Sequence, residues 1–139
     1  MDIELVYSKV DSLHRCVARI ESKVPDSADV LRSDIDTQDI IILNLERAVQ
    51  QSVDIAMHII SQLSQAPAAA SMGDAFSVLQ QQKILTANTA ERMMKAVGFR
   101  NTAVHAYQQI DVNIIFAIVT RHLDDFRIFV KEVIAFLEK

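Results

Sequence analysis

Glycine and proline are scarce in this chain, with only two of each among 139 residues. These residues end helices and form the tight turns between strands, so a chain that has few of them favours long helices over many short strands. Half of the residues are hydrophobic, and a chain of this length can bury a substantial single core. We therefore predict an all-α protein with one domain over residues 1–139.

Apolar residues recur at helical spacing along most of the chain, with breaks at Pro25, at Ala66–Gly73 and at Gly98. This pattern predicts a bundle of about five helices, two of them long. One long helix is expected from about 28 to 65, where a broad apolar stripe is typical of a central helix that contacts several neighbours. The other is expected to be capped by Asp111 and to run to the C-terminus.

Gly98 is predicted to end a helix that covers about Ala87–Val97, because glycine readily adopts the left-handed conformation of a C-terminal cap. A short helix then begins near Asn101 or Thr102, which places Arg100 just before its first turn. Free backbone N–H groups and the positive end of the helix dipole at that position suit a phosphate.

Several classes of protein are disfavoured by the sequence. The longest apolar runs are too short to cross a bilayer, and the N-terminus has no basic stretch followed by an apolar core. We therefore expect a cytoplasmic protein with no membrane partner. Cys16 is the only cysteine, which excludes an internal disulfide and a cysteine-based metal cage and favours a buried structural thiol.

The net charge of −4 gives the molecule no general electrostatic footprint for polyanions, and no DNA partner is expected. The charges are unevenly distributed. Between residues 75 and 110, four basic residues stand against Glu91 alone, and they are Lys83, Arg92, Lys95 and Arg100. An anionic ligand is therefore expected at this segment, although a solvated helix face explains the same pattern.

A search for catalytic motifs leaves one constellation. The sequence has no glycine-rich phosphate loop, no metal-binding pair of histidines and no nucleophile elbow. What remains is Arg100, His105 and Tyr107. On a continuous helix, Tyr107 lies about 20° and His105 about 140° around the axis from Arg100. From the residues alone, a structural role for these three is as open as a catalytic one.

The segment from Arg100 to Tyr107 resembles the Arg-x4-His-x-Tyr signature of HepT-type toxins of the HEPN superfamily. The flanking residues Gly98–Asn101 and Gln109–Asp111 are also similar to that family, as are Leu43–Arg47 and Val53–Ala56 in the long helix. The resemblance spans essentially the whole chain.

This resemblance implies a metal-independent endoribonuclease, the RNase toxin of a type VII-like toxin–antitoxin system. The antitoxin is then an MNT-type minimal nucleotidyltransferase that neutralises the toxin by adding AMP to Tyr107. Arg100 and His105 are the implied catalytic residues. No metal and no cofactor are expected.

The chemistry of metal-free RNA cleavage favours a homodimer. One group must take the proton of the ribose 2′-OH, a second must protonate the leaving oxygen, and a cation must stabilise the charged phosphorane. One chain supplies a single motif imidazole, whereas two copies supply two around a twofold axis. A histidine pKa near 6.5 suits both roles near neutral pH. Asn101 is expected to cap the helix, with an RNA contact as the alternative.

Two alternatives stay open. The first is a non-catalytic HEPN helical module that binds a nucleotide or a protein partner through the same groove. The second is a structural adaptor in which Arg100 and His105 form hydrogen bonds at an interface.

Overall fold

The computed structural model describes residues 1–139, and its regular structure is entirely helical. Seven α-helices and one 3₁₀ turn follow in the order α1 (Ile3–Glu21), α2 (Ala28–Arg32), α3 (Ile35–Ser61), α4 (Met72–Gln81), α5 (Ala87–His105), the 3₁₀ turn (Tyr107–Gln109), α6 (Val112–Arg121) and α7 (Asp124–Leu137). The all-α prediction is confirmed. The predicted number of about five helices is too low, because both long helices are interrupted.

The first interruption lies at Ser33 and Asp34. Ser27 caps α2, accepting a hydrogen bond from the Val30 N–H at 3.2 Å. Asp34 then caps a new helix, since its carboxylate accepts from the Thr37 N–H at 3.0 Å. Hydrogen bonds from Thr37 hold the pKa of Asp34 below its usual value. Short polar side chains that bond the backbone locally in this way favour helix starts over helix interiors.

The second interruption divides the predicted C-terminal helix. Asp111 caps α6 as expected, since its carboxylate accepts a hydrogen bond from the backbone N–H of Asn113 at 2.8 Å. The helix ends at Arg121, and α7 begins two residues after His122. Asp124 and Asp125 occupy the first turn of α7, where the positive end of the helix dipole stabilises carboxylates.

The core is organised around α3, which packs against α1 on one side and against α4 and α5 on the other. Helix α7 crosses both α1 and α5, while α6 packs on α2. The rings of Phe76 and Phe129 meet edge to face with their centroids 5.5 Å apart. Cys16 is buried among these helices, and burial raises the pKa of its thiol. No helix is long and apolar enough to cross a membrane.

Ser71 caps α4, since its hydroxyl accepts from the Asp74 N–H at 3.1 Å while the Asp74 carboxylate accepts from the Ala70 N–H at 2.7 Å. Met94 is 37% exposed. It lies beside the buried Met93 on α5, and successive residues of a helix are about 100° apart around the axis.

Gly98 does not end a helix. Helix α5 runs without a break from Ala87 to His105, and no glycine has a positive φ. The buried residues of α5 continue past Gly98 to Ala103. Packing of the helix against the core therefore outweighs the weak helix propensity of one glycine. The helix ends instead at Ala106, whose φ of −143° and ψ of 48° leave the helical region.

Replacing this mid-helix glycine is expected to stabilise the protein. A Cβ at Gly98 meets nothing within 4 Å, so Gly98→Ala should raise the free energy of unfolding by about 0.5–1 kcal/mol through helix propensity. Urea denaturation at one fixed protein concentration measures the change. Gly73→Ala, in the first turn of α4, is the matched control with equally open space. A loss of stability confined to Gly98→Ala would contradict this prediction and indicate close contact with another molecule there.

Candidate functional site

The candidate site lies where the C-terminal half of α5 runs antiparallel to α3. Arg100 on α5 contacts Gln50 on α3, and Tyr107, seven residues further on, contacts Asp39, eleven residues earlier on α3. Gln50 and Asp39 are about 16 Å apart along the axis of α3. The site is therefore an elongated strip between two helices.

Arg100 is half-buried and its guanidinium is held by neutral groups. Nη2 donates to the Gln50 side-chain oxygen at 3.4 Å, while Nη1 lies 3.4 Å from Asn101 Oδ1 and 3.7 Å from the Met72 sulfur. None of these contacts is with a carboxylate. The geometry fixes the position of the guanidinium but leaves its positive charge free to pair with an anion.

Gln50 is itself held in place by a charged pair. Its amide nitrogen donates to Asp54 Oδ1 at 2.8 Å, and the other oxygen of Asp54 accepts from Lys9 Nζ at 3.2 Å. Because its nitrogen is committed to Asp54, the oxygen of Gln50 is directed toward Arg100. The Lys9–Asp54 pair on α1 and α3 thus orients the acceptor that Arg100 uses.

His105 lies on a different side of α5 from Arg100. Five residues separate them on one continuous helix, which is about 140° of rotation, and the His105 side chain is exposed. The expectation that Arg100 lies just before the first turn of a helix is wrong. Both residues lie in the last two turns of α5, so no helix N-terminus is available here to bind a phosphate.

Tyr107 follows α5 in the 3₁₀ turn, with 49% of the residue exposed. Its hydroxyl donates a hydrogen bond to the carboxylate of Asp39. This bond raises the pKa of Tyr107, with burial and the nearby charge of Glu46 adding to the effect. The phenol is therefore held neutral and tethered to α3.

Asn101 does not cap a helix, because it lies inside α5, whose N-cap is Thr86. The predicted cap is therefore wrong. Asn101 is exposed, and its side-chain oxygen accepts from Arg100. The alternative, a contact with RNA, remains a prediction.

Three polar residues of α3 that border the site were missed by sequence reasoning, namely Asp39, Glu46 and Gln50. Their spacing of seven and four residues puts them on one face of a helix. This spacing is the one feature of the sequence that could have indicated a site on α3. However, polar residues along one face of a long helix more often indicate a solvent-exposed face. Only the packing of α5 identifies this line as part of a site.

The predicted basic segment is largely neutralised by ion pairs. Arg92 lies 3.4 Å from Asp125, and Lys95 lies 3.4 Å from Glu91. Arg100 lacks such a partner. Within this segment the positive charge available to an anion is thus concentrated at Arg100 and the exposed Lys83.

A groove of about 670 Å³ lies between α5, α6 and α7, and its wall includes Gly98 and Thr102. Its lining includes the apolar side chains of Phe99, Ile118 and Phe126 together with polar and charged residues. No group of three or more histidine, cysteine or acidic side chains is arranged to hold a metal ion. Arg100 is not among the residues that line this groove.

Known proteins resemble this chain along nearly its whole length. A family described as "Ribonuclease HepT-like" matches residues 13–133. The mRNA nuclease HepT of Shewanella oneidensis is 35% identical over 127 residues, which cover 91% of this chain and 94% of that protein. The tRNA nuclease HepT of Aphanizomenon flos-aquae is 26% identical over 133 residues, covering 96% and 90%.

The fold has the same likeness among solved structures. The tri-AMPylated HEPN toxin of Shewanella oneidensis in complex with MNT antitoxin has a TM-score of 0.89 and 34% sequence identity. The match covers 97% of this chain and 99% of that one.

Proposed function

Because the chain belongs to the ribonuclease HepT-like family, we propose that it is a metal-independent endoribonuclease whose active site combines Arg100 and His105 from two copies of the chain. The family resemblance seen in residues 100–107 is confirmed, and with it the prediction of a HEPN-type ribonuclease toxin at the level of the family. The composite site and its residues are our proposal.

One observation carries this proposal. Arg100 and His105 point about 140° apart on a continuous helix, so a single copy does not direct both at one phosphate. A second copy related by a twofold axis brings its own arginine and histidine to the same place. This arrangement supplies two exposed imidazoles, and it uses a guanidinium whose charge no carboxylate offsets.

In the proposed reaction, His105 of one copy takes the proton of the ribose 2′-OH as its oxygen attacks the adjacent phosphorus. His105 of the second copy donates a proton to the leaving 5′-oxygen, which gives a cyclic phosphate and a free 5′-hydroxyl. Arg100 holds the phosphate and stabilises the charge that develops on it. No step requires a metal ion.

Cleavage of total RNA by the purified chain should persist in EDTA and depend on both motif residues. His105→Ala and Arg100→Ala should each reduce cleavage by at least about 100-fold, since each removes an acid–base group or a charge stabiliser. Gel electrophoresis of labelled RNA measures the rates. The matched controls are His14→Ala and Arg19→Ala, two exposed residues on α1.

Both site variants should keep their circular dichroism and unfolding midpoint, because neither side chain is in the core. Loss of all cleavage in EDTA would contradict the mechanism. Full activity in His105→Ala would remove its catalytic role, and RNA binding without cleavage by the wild type would favour the non-catalytic alternative.

A heterodimer tests whether the site is shared. A dimer with one wild-type copy and one His105→Ala copy, isolated through two different tags, should retain less than about a tenth of the wild-type rate, because the acid or the base is then missing. Two independent sites would instead retain half. A heterodimer with His14→Ala is the control and should be fully active.

Neutralisation is the second part of the proposal. A minimal nucleotidyltransferase partner adds AMP to the Tyr107 hydroxyl, as the exposure of that residue permits. The AMPylated state and MNT complex of the similar Shewanella toxin support this assignment. The added group is bulky and negative, so it opposes entry of an RNA phosphate near Arg100 by steric blocking and by repulsion.

Co-expression with the nucleotidyltransferase should increase the mass of the peptide containing Tyr107 by multiples of one AMP and abolish cleavage. Tyr107→Phe should remain unmodified and escape neutralisation, while Tyr7→Phe, the matched control, should behave as wild type. Peptide mass spectrometry and growth assays measure these outcomes. If the partner neutralised Tyr107→Phe without any adenylate on the toxin, inhibition would come from complex formation alone.

A further inference from the structure

We propose that Asp39 is the base that activates Tyr107 for its own modification, so that the toxin supplies a catalytic group to the reaction that silences it. This inference rests on the proposed AMP transfer to Tyr107. It starts from the hydrogen bond between the Tyr107 hydroxyl and the Asp39 carboxylate.

A tyrosine hydroxyl is a poor nucleophile while it keeps its proton, because its pKa near 10 leaves it neutral at physiological pH. The proton must leave as the oxygen attacks. A general base has to lie within hydrogen-bonding reach of that proton, and this geometric condition comes before any question of pKa. Asp39 meets it, since its oxygen accepts the hydroxyl hydrogen in the unmodified protein.

The contact leaves the attacking electrons free. The hydroxyl hydrogen points at Asp39, whereas 49% of Tyr107 remains open to solvent. The lone pairs of the phenol oxygen can therefore meet a phosphorus atom from the exposed side.

Each bond change has a defined destination. The Tyr107 oxygen forms a bond to the α-phosphorus of a nucleoside triphosphate, and the bond from that phosphorus to the bridging oxygen breaks. Pyrophosphate leaves with the electron pair. The phenolic proton passes to Asp39 and from there to water, and nothing is oxidised or reduced.

A purely restraining role for Asp39 predicts the opposite effect of its removal. The hydrogen bond to Asp39 raises the pKa of Tyr107, so a variant without the carboxylate ionises Tyr107 more readily. If Asp39 only held the tyrosine neutral, that variant would react faster. If Asp39 takes the proton, the variant reacts more slowly at neutral pH.

The experiment uses full-length toxin carrying His105→Ala, so that unmodified protein can be prepared without toxicity. Asp39→Asn in this background is compared with Asp36→Asn, an exposed acidic residue in the first turn of the same helix. The partner nucleotidyltransferase, ATP and Mg²⁺ are added. Pyrophosphate release and intact mass give kcat and KM between about pH 6 and pH 9, the range between the ordinary pKa values of aspartate and tyrosine.

We expect Asp39→Asn to lower kcat by about 100-fold at neutral pH, with the KM values for ATP and toxin unchanged. Its rate should rise about tenfold per pH unit, because ionisation of Tyr107 itself then becomes necessary. The parent and Asp36→Asn should vary little with pH. Asp39→Ser, a second variant without a carboxylate to accept the proton, should behave as Asp39→Asn. Agreement between the two variants would show that the loss of rate does not come from misfolding of one of them.

An Asp39→Asn rate equal to or faster than the parent rate would overturn the proposal. So would a loss confined to the KM for toxin, which would make Asp39 a docking residue for the partner. Absence of AMP on the parent protein would refute the proposed neutralisation, and the role of Asp39 with it. Failure of the proposed neutralisation can be distinguished from failure of the role of Asp39, because it appears in the parent protein, where Asp39 is unchanged.

Discussion

The geometry of the site depends on how α5 is packed against the rest of the bundle. Ala90, Met93, Val97 and Ala103 are buried along one side of α5, and this fixes the rotation of the helix about its axis. With that rotation set, Arg100 is turned toward α3 and His105 toward solvent. A break at Gly98 would have let the segment with Arg100 and His105 turn independently of this packing. Because α5 is continuous, the two side chains are held on different sides of the helix.

Much of the fold follows from apolar periodicity. The buried stripe of α3 and its central position were predictable, because a helix with apolar residues on a broad arc must contact several neighbours. The breaks at Ser33 and Asp34 and at His122 were not. The first depends on a local competition between helical hydrogen bonds and the Asp34 cap that differ by about 1 kcal/mol, which periodicity does not record. At the second, no side chain caps the start of α7, and the apolar periodicity gives no sign of the break. Gly98 misled for the same reason, since its cost of about 1 kcal/mol is offset by the packing of Ala103.

The site shows a similar division. Arg100, His105 and Tyr107 form a recognisable string because they are close in sequence. Asp39 and Gln50 contact them across 68 and 50 residues respectively, and no spacing rule connects two helices in one chain. Their side chains matter because α3 and α5 are antiparallel, which places the lower numbers of α3 beside the higher numbers of α5. This alignment is a property of the tertiary structure. It places the polar face of α3 beside the motif residues of α5.

The charges along that wall give the proposed modification a physical consequence. The Tyr107 hydroxyl is attracted to α3 because it donates a hydrogen to Asp39. Once esterified, its oxygen has no hydrogen to donate, and the attached phosphate is an anion near both Asp39 and Glu46, so the same contact becomes repulsive. On this strip the opposite charge belongs to Arg100, whose contacts are neutral and leave its charge unpaired. In the proposed modified state, the electrostatics of α3 therefore favour an AMP group that is displaced from Asp39 toward Arg100, where we propose that the RNA phosphate binds.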